Sequence, residues 1–395
     1  MTQQRPKPAE SATAPTPGGL HTGRIAVIDG LRLFAALIVA LYHYTALKTA
    51  MGPVWDVPRG EVFPVLSRAG AYGWLGVELF FMISGFVICM SSWGRTPEAF
   101  ARSRIVRLFP AYWPAVLITT AVVTLWPTVQ QHASVKDVLV NLTMLNDPLN
   151  AERVDEAYWT LWAEAKFYLL FAVVLLWRGR GLTLRNTILF GYGWLIAATL
   201  TVNAKQPVLT EILQPVYAPY FVAGIAFYLI HRFGPDIRLW GLAGLSFALA
   251  MNAVNVRMTN RDLNPHIGML VVALFFAALA VIALGWTDRI RWRWLTTAGI
   301  LTYPFYLIHE NIGWTIIHAT RDLAPRYVIL VGVLLLMLGA AWLLHRLLER
   351  PIAGWLRAKL TPHPGDPASH DQNSTLAQPS DDEIRLRPGH VPVSR

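Results

Sequence analysis

The chain has one cysteine, Cys89, in 395 residues, so no disulfide can form within it. Charge is also scarce: Asp, Glu, Lys and Arg make up 15% of the residues, below the share typical of a soluble domain. The charge present is lopsided, with 34 basic against 24 acidic residues and a net of +10. No histidine, cysteine or carboxylate cluster has metal-ligand spacing, and there is no P-loop, dinucleotide fingerprint or internal repeat. These absences argue against a disulfide-stapled secreted domain, a metal site and the common nucleotide-binding folds. Cys89 lies inside an apolar segment and reads as buried packing rather than a reactive thiol.

What the chain has in abundance is apolar surface, at 54% hydrophobic residues with 16 Trp. Stretches long enough to span a hydrocarbon core fall near 25–47, 71–92, 108–127, 159–177, 186–203, 215–231, 239–256, 266–286, 297–318 and 327–347. The pattern predicts an all-α polytopic integral membrane protein of about ten transmembrane helices. Loops on one side carry sixteen Lys and Arg and the alternate loops ten, which predicts that both termini are cytoplasmic, in the cell membrane. Basic loops facing anionic headgroups account for the net charge, and no nucleic-acid partner is called for. Residues 1–23 and those from about 361 are polar and Pro-rich and read as disordered. The expected plan is therefore a cytoplasmic segment 1–23, a membrane domain 24–350 and a tail 351–395. The first span is too long, and too polar at Asp29, Arg32 and His43, for a cleaved signal core.

Ionisable residues inside spans are costly and mark pathways or reaction sites. Arg32 and His43 lie eleven positions apart in the first span, about three helical turns, so they share one stripe roughly 16 Å apart along it. By depth, His43, Glu78 in span two and Glu164 in span four converge on one outer layer if those spans are neighbours. Histidine titrates near neutrality, so His43 suits a general base with a carboxylate, Glu164 before Glu78, orienting or charge-balancing it; the plainer alternative is a polar contact between packed helices. Arg32 reads as an anion binder or as the ion-pair partner of Asp29. Arg104 and Arg107, one turn apart at the start of span three, read as a phosphate fork on a helix N-terminus or as a positive-inside anchor. In span nine, Tyr303, Tyr306, His309 and Glu310 should face the bundle interior, with Tyr306 and His309 on one face as a polar lining or a mutual hydrogen bond. Ser84 and Gly85 suit close helix packing, with a serine nucleophile the weaker reading.

Six elements resemble, in order, the membrane-bound acyltransferase family 3. They are "GLRLFAALIVALYHY" with its Arg and His separated by ten residues, "FFMISGFVI", "RIVRLFPAYW", "WTLWAEAKFYLLF", "LTYPFYLIHE" and the closing "LERP". Members move acyl groups onto sugars of surface glycans, peptidoglycan and some macrolide antibiotics. The resemblance implies that His43 is the catalytic histidine with Arg32 its partner, that Arg104 and Arg107 serve the acyl donor, and that Glu164 belongs to the functional set. It gives lesser roles to Ser84, Tyr303 and His309. The chain resembles the stand-alone form, without the hydrolase-like domain that some members append. The expected co-substrate is acyl-CoA, acetyl-CoA first, and the expected acceptor a sugar-containing hydroxyl compound, with no bound cofactor and no metal. A transporter using the same His, Arg and Glu as a substrate or proton path is the competing expectation.

Overall fold

A computed structural model describes residues 25–57, 62–127, 133–176, 181–204 and 206–360. The segments expected to be disordered, 1–23 and the tail from 361, lie outside the described residues. The long helices are α1 (Ala26–Thr45), α2 (Gly76–Ser92), α3 (Pro97–Leu125), α4 (Trp159–Leu176), α5 (Leu184–Asn203) and α6 (Ala218–Phe233). They continue with α7 (Ile237–Thr259), α8 (Pro265–Ala283), α9 (Arg293–Thr320), α10 (Arg326–Leu344) and, after a π-turn at His345–Glu349, α11 (Arg350–Leu360).

Among the described residues, eight helical segments are long and apolar enough to cross a membrane; α5 and α9, expected as spans, are long but more polar. In α9 the cause is visible, because Tyr303, Tyr306, His309, Glu310 and Asn311 are all buried within the bundle rather than turned to lipid. The lipid-compatible faces lie elsewhere, as on α4 (Leu169, Val173, Leu176) and α10 (Leu335, Leu336, Leu343), where large apolar side chains are exposed. The protein is a multi-pass helical membrane protein.

Helix α1 is the axis of the bundle. Its Ala35 and Val39 belong to a core built with α2, α4, α5, α6, α7 and α8, while its Ala36, Ala40 and Tyr44 belong to a second core with α3, α9 and α10. Alanine on both faces keeps α1 thin enough to be packed from two sides. The α2–α6 crossing is closer still: a Cβ on Gly85 would run into the backbone carbonyl of Phe221, and one on Gly224 into that of Met82. Gly85 is thus a packing residue, while its neighbour Ser84 points elsewhere.

Helix α3 begins eleven residues before the predicted span, with Thr96 accepting the Ala99 N–H at 3.3 Å and Pro97 in the first turn. Arg104 and Arg107 therefore sit two to three turns inside the helix. The expected contribution of a helix N-terminus to anion binding does not apply to them, because the free N–H groups are at the Pro97 end. Likewise α7 runs on to Thr259, which carries Arg257 inside a helix instead of in the predicted loop.

Candidate active site

Two chambers flank α1. The first, of about 960 Å³, lies at the end where α1 begins and is lined by Arg32, Ser84, Arg104, Arg107, Glu164 and Tyr303 among others. Six arginines line it (Arg32, Arg102, Arg104, Arg107, Arg350 and Arg357) against two carboxylates, Glu164 and Glu349, so its surface is strongly positive. Arg104 lies over the Phe100 and Tyr168 rings at 5.7 and 5.8 Å, and Arg107 over Tyr303 at 5.6 Å. Aromatic faces hold these guanidiniums in plane, and Arg104 also donates to the Ser103 and Ser91 hydroxyls at 3.2 and 3.4 Å. Arg107 reaches Glu349 only at 3.8 Å, and Glu349 in turn takes a 2.7 Å hydrogen bond from His345. Ser84 donates to Glu164, which commits both side chains to each other. Tyr303 donates to the Leu108 carbonyl at 3.1 Å, tying α9 to α3.

The second chamber, of about 490 Å³, is lined by Tyr42, His43, Trp74, Trp159, Arg257, Glu310 and Trp314 among others. His43 sits here and not in the arginine cavity. Its Nδ1 is 3.0 Å from His309 Nε2 and 3.5 Å from Glu310 Oε2. The tautomers follow from the next bond along. His309 Nδ1 lies 2.8 Å from the Tyr306 carbonyl, which only accepts, so Nδ1 of His309 carries the proton and its Nε2 is an acceptor. His43 must then donate from Nδ1 to His309, and its Nε2 is left with a free lone pair. The arrangement can remove a proton from a hydroxyl.

Backbone contacts fix the pair of rings. Trp314 donates to the His43 carbonyl at 3.2 Å, Tyr44 donates to the His309 carbonyl, and the two imidazoles lie nearly parallel with centroids 5.1 Å apart. Oε2 of Glu310 is buried with no hydrogen-bond partner, poised for the charge that His43 gains on protonation. Behind it stands Asp155, fully buried, which accepts from Asn311 N at 3.2 Å and Ala157 N at 3.0 Å and is bonded to Glu310. Asp155 precedes the α4 segment, and burial pushes its carboxyl up to about 7.

The depth argument brought His43, Glu78 and Glu164 to one layer, but the structure separates them. Glu164 lines the arginine cavity with Ser84, and Glu78 is buried behind the wall of the histidine pocket, paired with Arg257. Depth fixes a layer and not a helix face, and each carboxylate turns toward a partner that its own face supplies. The carboxylate beside His43 is Glu310. Of the polar lining and the mutual hydrogen bond expected of Tyr306 and His309, the structure shows His309 Nδ1 on the Tyr306 backbone carbonyl and the Tyr306 hydroxyl on Thr160, with Tyr306 lining both chambers. Glu310 was visible in the sequence as the residue after His309. Asp155 was not, because a loop residue has no periodicity to betray it. Arg257 and Arg261, which stack on Trp74 at 4.3 and 4.5 Å, were hidden as apparent loop charges. Among the described residues no group of three or more His, Cys, Asp or Glu is arranged to hold a metal ion.

Comparison with known proteins bears on this geometry. No solved structure matches the chain. The chain is 25% identical over 370 residues to the acyltransferase MdmB of Streptomyces mycarofaciens, covering 83% of this chain and 91% of that protein. The model of the acyltransferase domain matches residues 25–346, which takes in α1 through α10, the whole lining of the histidine pocket and that of the arginine cavity up to His345; Glu349 and the α11 residues of the cavity lie beyond it. Nothing in these matches supports the transporter expectation. A free imidazole nitrogen in one chamber, an arginine-lined cavity in the next and a domain match over residues 25–346 make this chain a member of acyltransferase family 3.

Proposed function

We propose that the protein transfers an acyl group, acetyl first, from acyl-CoA to a hydroxyl of a sugar-containing acceptor, with His43 as general base. The observation that carries the reading is the hydrogen-bond chain from the Tyr306 carbonyl through His309 to His43, which leaves His43 Nε2 unprotonated. The donor's phosphates rest on Arg32, Arg104 and Arg107, and its flexible arm runs along the bundle toward His43. Supporting this, six arginines face two carboxylates in a cavity large enough for a nucleotide head. Both chain ends then face the cytoplasm of the cell membrane, where acyl-CoA is found.

In the reaction His43 Nε2 takes the proton of the acceptor hydroxyl as its oxygen attacks the thioester carbonyl. The C–S bond breaks, the ester forms, and the proton on His43 passes to the departing thiolate. Glu310 offsets the imidazolium charge during this step, the task first expected of Glu164. Glu164 instead stands among the arginines, bonded to Ser84. The acceptor enters the histidine pocket, where Trp74, Trp159 and Trp314 offer aromatic faces to a sugar ring.

The test is transfer from a panel of labelled acyl-CoAs to cell-derived glycans and hydroxylated small molecules, using membranes with wild type or His43→Ala. Label should enter an acceptor with wild type and fall by about 10²–10⁴-fold with His43→Ala at equal protein level. Equal labelling by the two proteins would overturn the role of His43, and no labelling from any acyl-CoA would overturn the donor.

A further inference from the structure

The two chambers keep their reactive groups apart. Arg32, Arg104 and Arg107 line only the arginine cavity, and His43 and Glu310 line only the histidine pocket, yet Tyr306 lines both. Val77 is the other shared residue. The Tyr306 ring is buried edge-on to Phe80 at 5.4 Å and against His309, also at 5.4 Å. Thr160 donates to the Ala157 carbonyl at 2.9 Å, so its oxygen is left to accept from the Tyr306 hydroxyl at 3.0 Å. That bond to α4, with a longer one from the Tyr306 hydroxyl to the Ala157 carbonyl at 3.4 Å, tethers the ring that stands between the donor chamber and the base.

We propose that Tyr306 is the partition of the active site: held by Thr160, its ring closes the passage from the arginine cavity to His43, and the arm of a bound donor displaces it. The inference rests on the acyl-CoA reading above. Its chemical purpose is to limit how often the thioester of a bound donor reaches the base, and the water beside it, when no acceptor is in place. Without a barrier, His43 would deprotonate water, hydroxide would add to the carbonyl, the C–S bond would break, and a carboxylic acid and a thiol would be released with no acceptor modified. The tether suits the task because one hydroxyl proton shared between two neutral acceptors, the nearer at 3.0 Å, biases an equilibrium by only about tenfold. That is enough to favour closure and little enough for a ligand to reverse.

The experiment measures thiol and free acetate released from acetyl-CoA by purified full-length protein in lipid nanodiscs with no acceptor present. Tyr306→Ala, which removes the ring, should raise this hydrolysis about tenfold or more over wild type, and adding His43→Ala should return it to background. Tyr306→Phe keeps the ring but removes the hydroxyl and should raise hydrolysis about two- to tenfold, while Thr160→Val leaves only the longer bond to the Ala157 carbonyl and should raise it by a smaller factor of about two. These two isosteric changes stand in if Tyr306→Ala does not yield a monodisperse protein. A purely structural role for Tyr306 would lower transfer and hydrolysis together, leaving their ratio unchanged. If wild type transfers acyl groups from acyl-CoA but no monodisperse variant hydrolyses acetyl-CoA faster, the partition is wrong and the donor assignment stands. If wild type transfers nothing from any acyl-CoA, the donor assignment itself has failed, and the partition falls with it.

Discussion

The arginine cavity and the histidine pocket hold their charges in opposite ways. In the cavity, Arg107 is a third exposed and reaches Glu349 only at 3.8 Å, and Arg104 leans on aromatic rings and on the Ser91 and Ser103 hydroxyls. In the pocket every buried charge has a fixed neighbour: Glu78 has Arg257, Glu310 has His43 and Asp155, and Asp155 has two backbone N–H groups. Loosely paired cations release their partners cheaply and suit a surface that binds and lets go of a polyanion. Tightly ordered groups pay no reorganisation at the moment of reaction and suit the chamber where a bond is made. One chamber is built for exchange and the other for chemistry.

If that contrast is right, damage to the two chambers should read out in different kinetic constants. The larger effect belongs to the pocket. Glu310→Gln removes the carboxyl facing His43 while keeping its shape, and kcat should fall about 10²-fold, the scale of general-base assistance, with the donor KM unchanged. Steady-state kinetics with varied acyl-CoA would settle it, and an equal rise in donor KM would erase the distinction between chambers. In the cavity, Arg107→Gln removes one guanidinium among six, and the donor KM should rise about tenfold with kcat held, as expected for one charge-assisted phosphate contact. Raised salt should weaken donor binding in wild type more than in the variant, since one fewer cation is being screened. A fall in kcat at saturating donor would mean that Arg107 acts on the reacting atoms.

Parts of this contrast were legible in the sequence, for physical reasons that differ from residue to residue. Hydrophobic length marked the membrane helices because lipid leaves the backbone no other way to satisfy its hydrogen bonds. His43 and Arg32 stood out because an ionisable group in an apolar run is expensive. Their division between chambers could not be read, because eleven positions on one stripe give a distance along the helix but say nothing of a wall between its ends. Glu164 was assigned to His43 on depth alone, and only the packing of α4 against α2 turns it to Ser84. The greater polarity of α9 was informative in the other direction: it weakened the span signal and also marked the helix that supplies His309, Glu310 and Tyr306.

The smallest predicted effect tests how firmly the pocket is ordered. Two buried carboxyls in contact cannot both ionise cheaply, and Asp155, with its carboxyl pushed up from 3.8 to about 7 by burial, is the member outside the spans. A carboxyl whose folded value is raised stabilises the fold fully below its unfolded value, and that contribution is lost as pH rises through the folded one. Wild type should therefore lose a few degrees of Tm between about pH 6 and about pH 8, measured by thermal melting in nanodiscs. Asp155→Asn cannot ionise and should melt lower at about pH 6, because its amide offers one acceptor where the carboxyl offers two to Asn311 N and Ala157 N. Its Tm should then stay nearly level to about pH 8. A variant that declines as steeply as wild type would place the titrating group elsewhere, and Glu310 would then face His43 without a proton-sharing neighbour behind it.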